Sequence, residues 1–406
     1  MTSIDRRLSR WGRRLLLAAV FWSLIAGAQE FDFSGQIAVE GRLFTQEALR
    51  DGLYRSNVSI WAEPEFYAEW EDGDHTFTFT PFGRVDPHDA RRTHFDIREL
   101  TYQYNARGWE LRTGIRKVYW GVTESNHLVD VINQTDLVEN LDGEEKLGQP
   151  MVNFALIRNW GTLDLFVLPG FRKRLFWSAD GRPGVPFPFD DSLATFESRR
   201  GRGHVDFAAR WSHSIGLIDF GVSHFHGTSR DPRFFPAENS AGEIVFAPHY
   251  DLIDQTGVDV QVTTGGWLWK LEAINRAGQG DRFAAVTGGF EYTFGNVRGS
   301  GLDIGLLTEY SFDERRELAL TPLQDDVFFG VRLALNDVQS TELLAGAAVD
   351  RQTGASFINV EASRRFGSRM TLDVEYRAFV GIPPEDIFLY GIRNDDYLQA
   401  TWAFHF

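Results

Sequence analysis

The sequence predicts an all-β chain: a transmembrane, antiparallel, up-and-down β-barrel of about 18 strands, with 16 as the alternative. Three observations predict it. After residue 28 the apolar residues recur with period two and hardly ever with period 3.6, the pattern of strands that are wet on one face only. The connections between these strands alternate short and long, as in a barrel whose turns gather at one rim and whose loops gather at the other. The terminal stretch "YLQATWAFHF" alternates up to Phe406. The chain end is therefore a strand that needs a partner for its backbone and an apolar medium for one face.

The elements follow in order. "MTSIDRRLSRWGRRLLLAAVFWSLIAGAQE" places five arginines before an apolar run from Leu15 to Ile25, then the small residues Ala26, Gly27 and Ala28. This is a secretory leader over 1–28, because its apolar core is too short to span a membrane comfortably. Losing five arginines and Asp5 takes the net charge from −16 to −20. Such a chain is a poor partner for nucleic acid, whose phosphates need a basic footprint. Cysteine is absent, which excludes disulfides and thiolate chemistry.

Eighteen strands are predicted: 31–44, 58–70, 76–85, 95–105, 109–120, 151–159, 161–171, 204–214, 216–227, 252–264, 267–277, 282–294, 301–312, 326–336, 341–350, 356–366, 370–380 and 396–406. In the second, Val58, Ile60, Ala62, Phe66 and Trp70 alternate with Ser59, Glu63, Glu65 and Glu69. Tight connections fall at 71–75, 106–108, 160, 215, 265–266, 296–300 and 367–369, and long ones at 45–57, 121–150, 172–203, 228–251, 313–325 and 381–395. In the last strand Leu398, Ala400, Trp402, Phe404 and Phe406 share one face. That strand is expected to pair with the first and to set its aromatics at the membrane interface. No linker divides 29–406, so it is one domain.

The terminal Phe406, with Trp402 and Phe404 on the same face, resembles the sorting signal read by the outer-membrane barrel assembly machinery. The overall plan resembles the 16- and 18-stranded porins, whose loop after the fifth strand folds into the lumen; here that loop is 121–150. A narrower resemblance lies in "DIRELTYQYNARGWELRTGIRKVYWGVTESNHLVDVINQTDL". It is similar to a proteobacterial family of poorly characterised outer-membrane barrels with a W-E-L-R-x-G hairpin, a Trp-Gly step and a D-x-I-N loop. The matching residues are Arg98, Glu99, Trp109 to Arg112, Gly114, Trp120, Gly121, Asp130, Ile132, Asn133 and Asp136. The resemblance implies the outer membrane of a Gram-negative bacterium, with outer-membrane lipid and lipopolysaccharide as surroundings.

Alternation assigns the polar face to the lumen. Glu63, Glu65, Glu110, Asp373 and Glu375 are expected there beside Arg210, Arg332 and Arg377, in a wall that is mixed but net acidic. The loop 121–150 carries Glu124, Asp130, Asp136, Glu139 and Asp142. Opposite Arg112 and Arg116 of the fifth strand, these acids are expected to set a transverse field at a constriction, since charge focused in a low-dielectric channel acts strongly on a passing solute. An EF-hand frame on "VENLDGEE" places Val138 and Gln149 where acids are required, so it fails. The loop 172–203 is basic and aromatic, suited to lipopolysaccharide phosphates or an anionic solute. His224 and His226 share a strand face, but that face continues outward, so no metal site is expected.

No nucleophile-elbow, zinc-protease or phosphate-loop motif occurs, so neither catalytic residues nor a cofactor are expected. The expected function is a channel for small polar solutes or ions through a net-acidic lumen. The alternatives are a plugged barrel acting as the outer component of an export or lipid-handling system, and an outer-membrane hydrolase. A homo-oligomer and a periplasmic export partner are both left open.

Overall fold

The computed structural model describes residues 29–178, 180–185 and 188–406; the leader expected over 1–28 lies outside them. Among the described residues twenty-one strands form. They are β1 (Glu30–Phe44), β2 (Ser56–Trp70), β3 (His75–Val85), β4 (His94–Ala106), β5 (Trp109–Arg116), β6 (Gln149–Arg158), β7 (Gly161–Pro169), β8 (Thr195–Phe196), β9 (Val205–Ile215), β10 (Ile218–Thr228), β11 (Arg233–Glu238), β12 (Ile244–Tyr250), β13 (Leu252–Thr264), β14 (Trp267–Ala277), β15 (Phe283–Phe294), β16 (Asp303–Asp313), β17 (Asp325–Ala334), β18 (Glu342–Asp350), β19 (Ser356–Phe366), β20 (Met370–Val380) and β21 (Tyr397–His405). A short helix, α1 (Ile387–Ile392), precedes β21.

All but β8, β11 and β12 belong to one antiparallel sheet of 18 strands, in which each strand pairs with its neighbours in the chain. The sheet closes where β21 meets β1, from Gln36 opposite His405 to Phe44 opposite Tyr397. The chain end takes part: the Gly35 and Phe406 amides each donate to the other's carbonyl, at 3.2 and 3.1 Å. No edge is left, so the backbone groups of the wall are satisfied within it. The expected strand count of 18 is therefore the one observed.

The two faces differ as the alternation requires. Ile37, Val39, Leu43, Val58, Ile60, Val222, Leu398, Trp402 and Phe404 are exposed on the outer face. Glu40, Arg42, Ser59, Asp206, Gln255, Glu272, Glu309 and Arg377 are buried on the inner one. Near the short-turn rim the outer face gathers aromatics. Phe33 lies 4.9 and 5.2 Å from Phe66 and Phe406, Phe366 5.2 Å from Trp402, Tyr104 edge-on to Trp109 at 5.3 Å, and Trp267 stacks on Trp269 at 5.3 Å and tilts against Tyr292 at 4.6 Å.

Some boundaries differ from expectation. The β9–β10 turn is Gly216–Leu217 rather than residue 215, because Gly216 supplies the positive φ (+62°) that a two-residue hairpin needs. β5 ends at Arg116 rather than 120, because its next backbone donor is taken by a side chain described below. The long connections hold structure that periodicity missed: β8, β11 and β12 make a small separate sheet. A bulge also breaks β4. Thr80 pairs with Glu99 and Pro81 with Ile97, which leaves Arg98 as the extra residue. A bulge re-aims a side chain, and Arg98 turns inward, almost fully buried.

Candidate functional site

The segment 117–148, between β5 and β6, lies inside the barrel. Its neck is closed by Asn133, which is 1% exposed. Asn133 Oδ1 accepts from the Val118 amide at 2.9 Å, and Nδ2 donates to the carbonyls of Arg116 and Leu147, both at 2.8 Å. One amide side chain thus ties the outgoing strand to the returning chain and replaces the ladder that would have extended β5. Beside it Trp120, Val129, Val131 and Ile132 join a buried cluster with Met151, Phe166, Leu168, Phe225 and Ile274 from the wall. Gly121 follows Trp120 at φ +121°, and a Cβ there would sit 2.6 Å from Glu272 Oε1. Glycine is what lets the segment come this close to the wall.

Three groups of contacts then hold the segment across the lumen. On the β14–β17 side, Glu272 accepts from the amides of Val122, Thr123 and Val129 (2.7, 3.0 and 3.1 Å), and Glu309 from those of Glu124 and Ser125 (both 2.8 Å). Hydrogen bonds to charged groups contribute about 1.5–3 kcal/mol each, so these two wall carboxylates fix the backbone firmly. Glu124 itself bridges Arg332 (2.8 Å) and Lys270 (3.4 Å). On the β1–β4 side, Glu139 receives Arg84 (2.6 Å) and His94 (2.8 Å), while Arg42 donates to its carbonyl at 3.0 Å. Arg92 lies alongside, bonded to Glu40 (2.7 Å) and Asp86 (3.1 Å). Arg98, turned inward by the bulge, meets Asp136 at 2.7 Å. On the β20 side, Asp142 meets Arg377 at 2.7 Å and Asn140 reaches Glu375 at 3.4 Å.

Burial pushes the Glu139 carboxyl up, but the charge of Arg84, the His94 hydrogen bond and Arg92 outweigh it and hold it well below the usual carboxylate range. Burial also lowers His127, yet its hydrogen bond to Glu144 (2.7 Å) and the nearby Glu272 carboxylate (3.9 Å) raise it to about 10. His127 is therefore an imidazolium that links segment and wall at neutral pH. Burial raises the Asp142 carboxyl, against the pull of Arg377.

The acids expected at the constriction fall into two sets. The side chains of Asp130, Asp136 and Glu139 are 3%, 0% and 6% exposed, tied to Lys146, Arg98 and Arg84. They anchor the segment and are not in contact with solvent-filled space. Glu124 and Asp142 are 23% and 17% exposed. They lie with Arg332, Glu361 and Glu375 of the facing wall, exposed by 37%, 40% and 20%. Arg112 and Arg116 do not oppose the loop acids. Arg112 pairs with Glu110 and lies 3.8 Å from Asp164, and Arg116 bonds Asn153 at 3.2 Å. The strand is short and both guanidiniums find partners on adjoining strands, so the expected transverse field does not run between these groups.

The other expected wall residues are distributed around the barrel. Arg210 forks onto Asp259 (2.6 and 2.7 Å), Asp373 accepts from Ser363 (2.7 Å), and Glu65 accepts a long bond from Thr80 (3.5 Å). Glu63 is half-buried and, among the described residues, has no ion pair, and Arg377 is fully buried between Asp142, Glu361 and Glu375. Sequence reasoning missed Glu40, Arg42, Arg84, Arg92 and Arg98. Glu40 and Arg42 alternate on the polar face of β1, which was signal enough. Arg98 shares the parity of His94 and Asp96, but the bulge gives Glu99, Thr101 and Gln103 the opposite parity, which blurs the pattern along β4.

The other long connections cover the segment. Trp177 Nε1 donates to the Leu137 carbonyl at 2.7 Å, and Arg174 reaches Gln134 at 3.1 Å. Arg182 pairs with Asp395 at 2.7 Å. Val185, Phe379, Ile382 and Ile392 pack with Leu141 and Trp177.

No protein-family model matches the chain, and no curated protein sequence matches it. Solved structures that resemble it include two mutants of the Rhodopseudomonas blastica porin. Each has a TM-score of 0.45 and 12% identity, over 93% of this chain and 100% of that one. A structure described as "Asymmetric conductivity of engineered proteins" has a TM-score of 0.44 and 11% identity over the same shares.

Proposed function

We propose that this chain is a conduit for small polar solutes or ions across a bacterial outer membrane. The observation that carries the proposal is the charged segment 117–148, laid across the lumen of a closed barrel whose outer face is apolar. The outer face meets hydrocarbon, the aromatic belt marks the interface at the short-turn rim, and that rim faces the periplasm, as the expected leader and the terminal assembly strand require. The remaining passage runs between the segment and β17–β20. It is bordered by Glu124, Asp142, Glu361 and Glu375, against Arg332 and the buried Arg377. Four carboxylates against Arg332, Arg377 and the Lys270 ammonium beside Glu124 leave a net negative border, which favours cations.

The test is the reversal potential in planar bilayers under a salt gradient. Replacing Glu124→Gln together with Glu361→Gln should lower the cation-to-anion permeability ratio by about twofold or more. An unchanged ratio removes both groups from the passage. A second reading, a barrel closed on its outer half and opened by a partner, is favoured by the way 170–204 and 381–396 cover the segment. It predicts near-silent bilayers for the intact chain and conductance once 117–148 is shortened.

A further inference from the structure

We propose that the outward side of the long-loop rim, where β9 and β10 meet the connection before β9, binds a phosphorylated lipid headgroup of the outer leaflet. The proposal rests on the membrane reading above and adds a site to it. A cavity of about 590 Å³ opens here, lined by Ser198, Arg199, Arg200, His204, Phe207 and His226.

Its chemistry is unlike that of the lumen. The arginines inside the lumen are paired: Arg84, Arg92, Arg98, Arg182, Arg210 and Arg230 each hold a carboxylate at 3.1 Å or less. Arg199 and Arg200 are adjacent and exposed. Among the described residues neither guanidinium has an ion pair or a side-chain hydrogen bond. Two free planar forks side by side suit a phosphate, which each can grip with two N–H donors. The imidazoles of His204 and His226 stand 6.5 Å apart. Their Nδ1 atoms are bonded to Asp206 at 2.9 Å and to Asp254 at 2.8 Å, which orients both rings and leaves each Nε2 for a ligand. Asp254 lies on the same outer face, paired with His226 and about half exposed.

The position selects a lipid over a free anion. Phe207, Trp211 and Val222 are exposed on the outer face along β9 and β10, a track for an acyl chain that runs from the charged cavity toward the barrel's middle. The chain as a whole carries a formal charge of −16, which disfavours capture of a small anion from solution. A lipid held at this depth by its hydrocarbon meets the two arginines without that penalty.

The experiment uses the full mature chain in mixed micelles and measures retention of bis-phosphorylated lipid A by native mass spectrometry. Arg199→Ala/Arg200→Ala is compared with Arg298→Ala/Arg369→Ala, which removes the same charge from exposed positions at the opposite rim. The wild-type chain and the Arg298/Arg369 variant should hold the lipid equally, and the Arg199/Arg200 variant about tenfold more weakly. Lipid A stripped of phosphate should bind all three at that weaker level. Equal retention by both variants overturns the site, and inorganic phosphate that binds as tightly as lipid A overturns the choice of a lipid. Flotation with vesicles separates the two levels of failure. A folded chain that stays out of bilayers refutes the membrane reading, whereas one that inserts but ignores Arg199 and Arg200 refutes the site alone.

Discussion

Asn133→Ala should release the segment 117–148 from the lumen without unfolding the barrel. The side chain makes three hydrogen bonds of 2.8–2.9 Å and is 1% exposed. Removing it leaves one backbone donor and two carbonyls without partners, at about 1–3 kcal/mol for each that stays dry. Val118 and Arg116 are only half-buried, so water can reach part of the neck, and a net loss of about 2–4 kcal/mol is reasonable. At 1.4 kcal/mol per factor of ten, local opening rises about 30- to 700-fold. The barrel strands keep their ladders, so global stability should change little. Amide hydrogen exchange reads both at once: amides of 117–148 should exchange faster by that factor, while those of β1 and β21 stay protected. Unchanged protection across 117–148 would show that the wall carboxylates Glu272 and Glu309 hold the segment on their own, and that the neck is not the latch.

Two further outcomes are expected. His127 has a folded value raised to about 10 from an ordinary 6.5. Its contribution to holding the segment is therefore complete below about pH 6.5 and fades as pH rises through 10. Exchange in 117–148, corrected for its intrinsic pH dependence, should accelerate over that range in the wild type and lose the pH-linked step in His127→Gln; the same step in both would assign it elsewhere. Phe406→Ser keeps the backbone bonds to Gly35 but removes the stack on Phe33 at 5.2 Å, so it should slow or impair assembly while leaving the assembled barrel nearly as stable. A mature variant that reaches the membrane at the wild-type rate would limit Phe406 to a packing role.

Much of this protein is written locally. A strand wet on one side must alternate, and a barrel with turns at one rim must alternate its connection lengths. The 18 strands, their faces and the pairing of the terminal run with the first strand followed from the sequence for that reason. The connection after the fifth strand is the one whose residues meet strands on several sides of the wall. Which acids anchor it and which face water was not legible, because it depends on partners far away in the chain. Glu139 is buried by Arg84 and His94, Asp136 by an arginine that a one-residue bulge turns inward, and Glu124 is left half-open between Lys270 and Arg332. Period two sets the face a side chain takes. Only the closed barrel, by bringing β1 beside β21 and the segment against β1 and β20, sets what that side chain meets, since electrostatic partnership is a matter of distance in space and not along the chain.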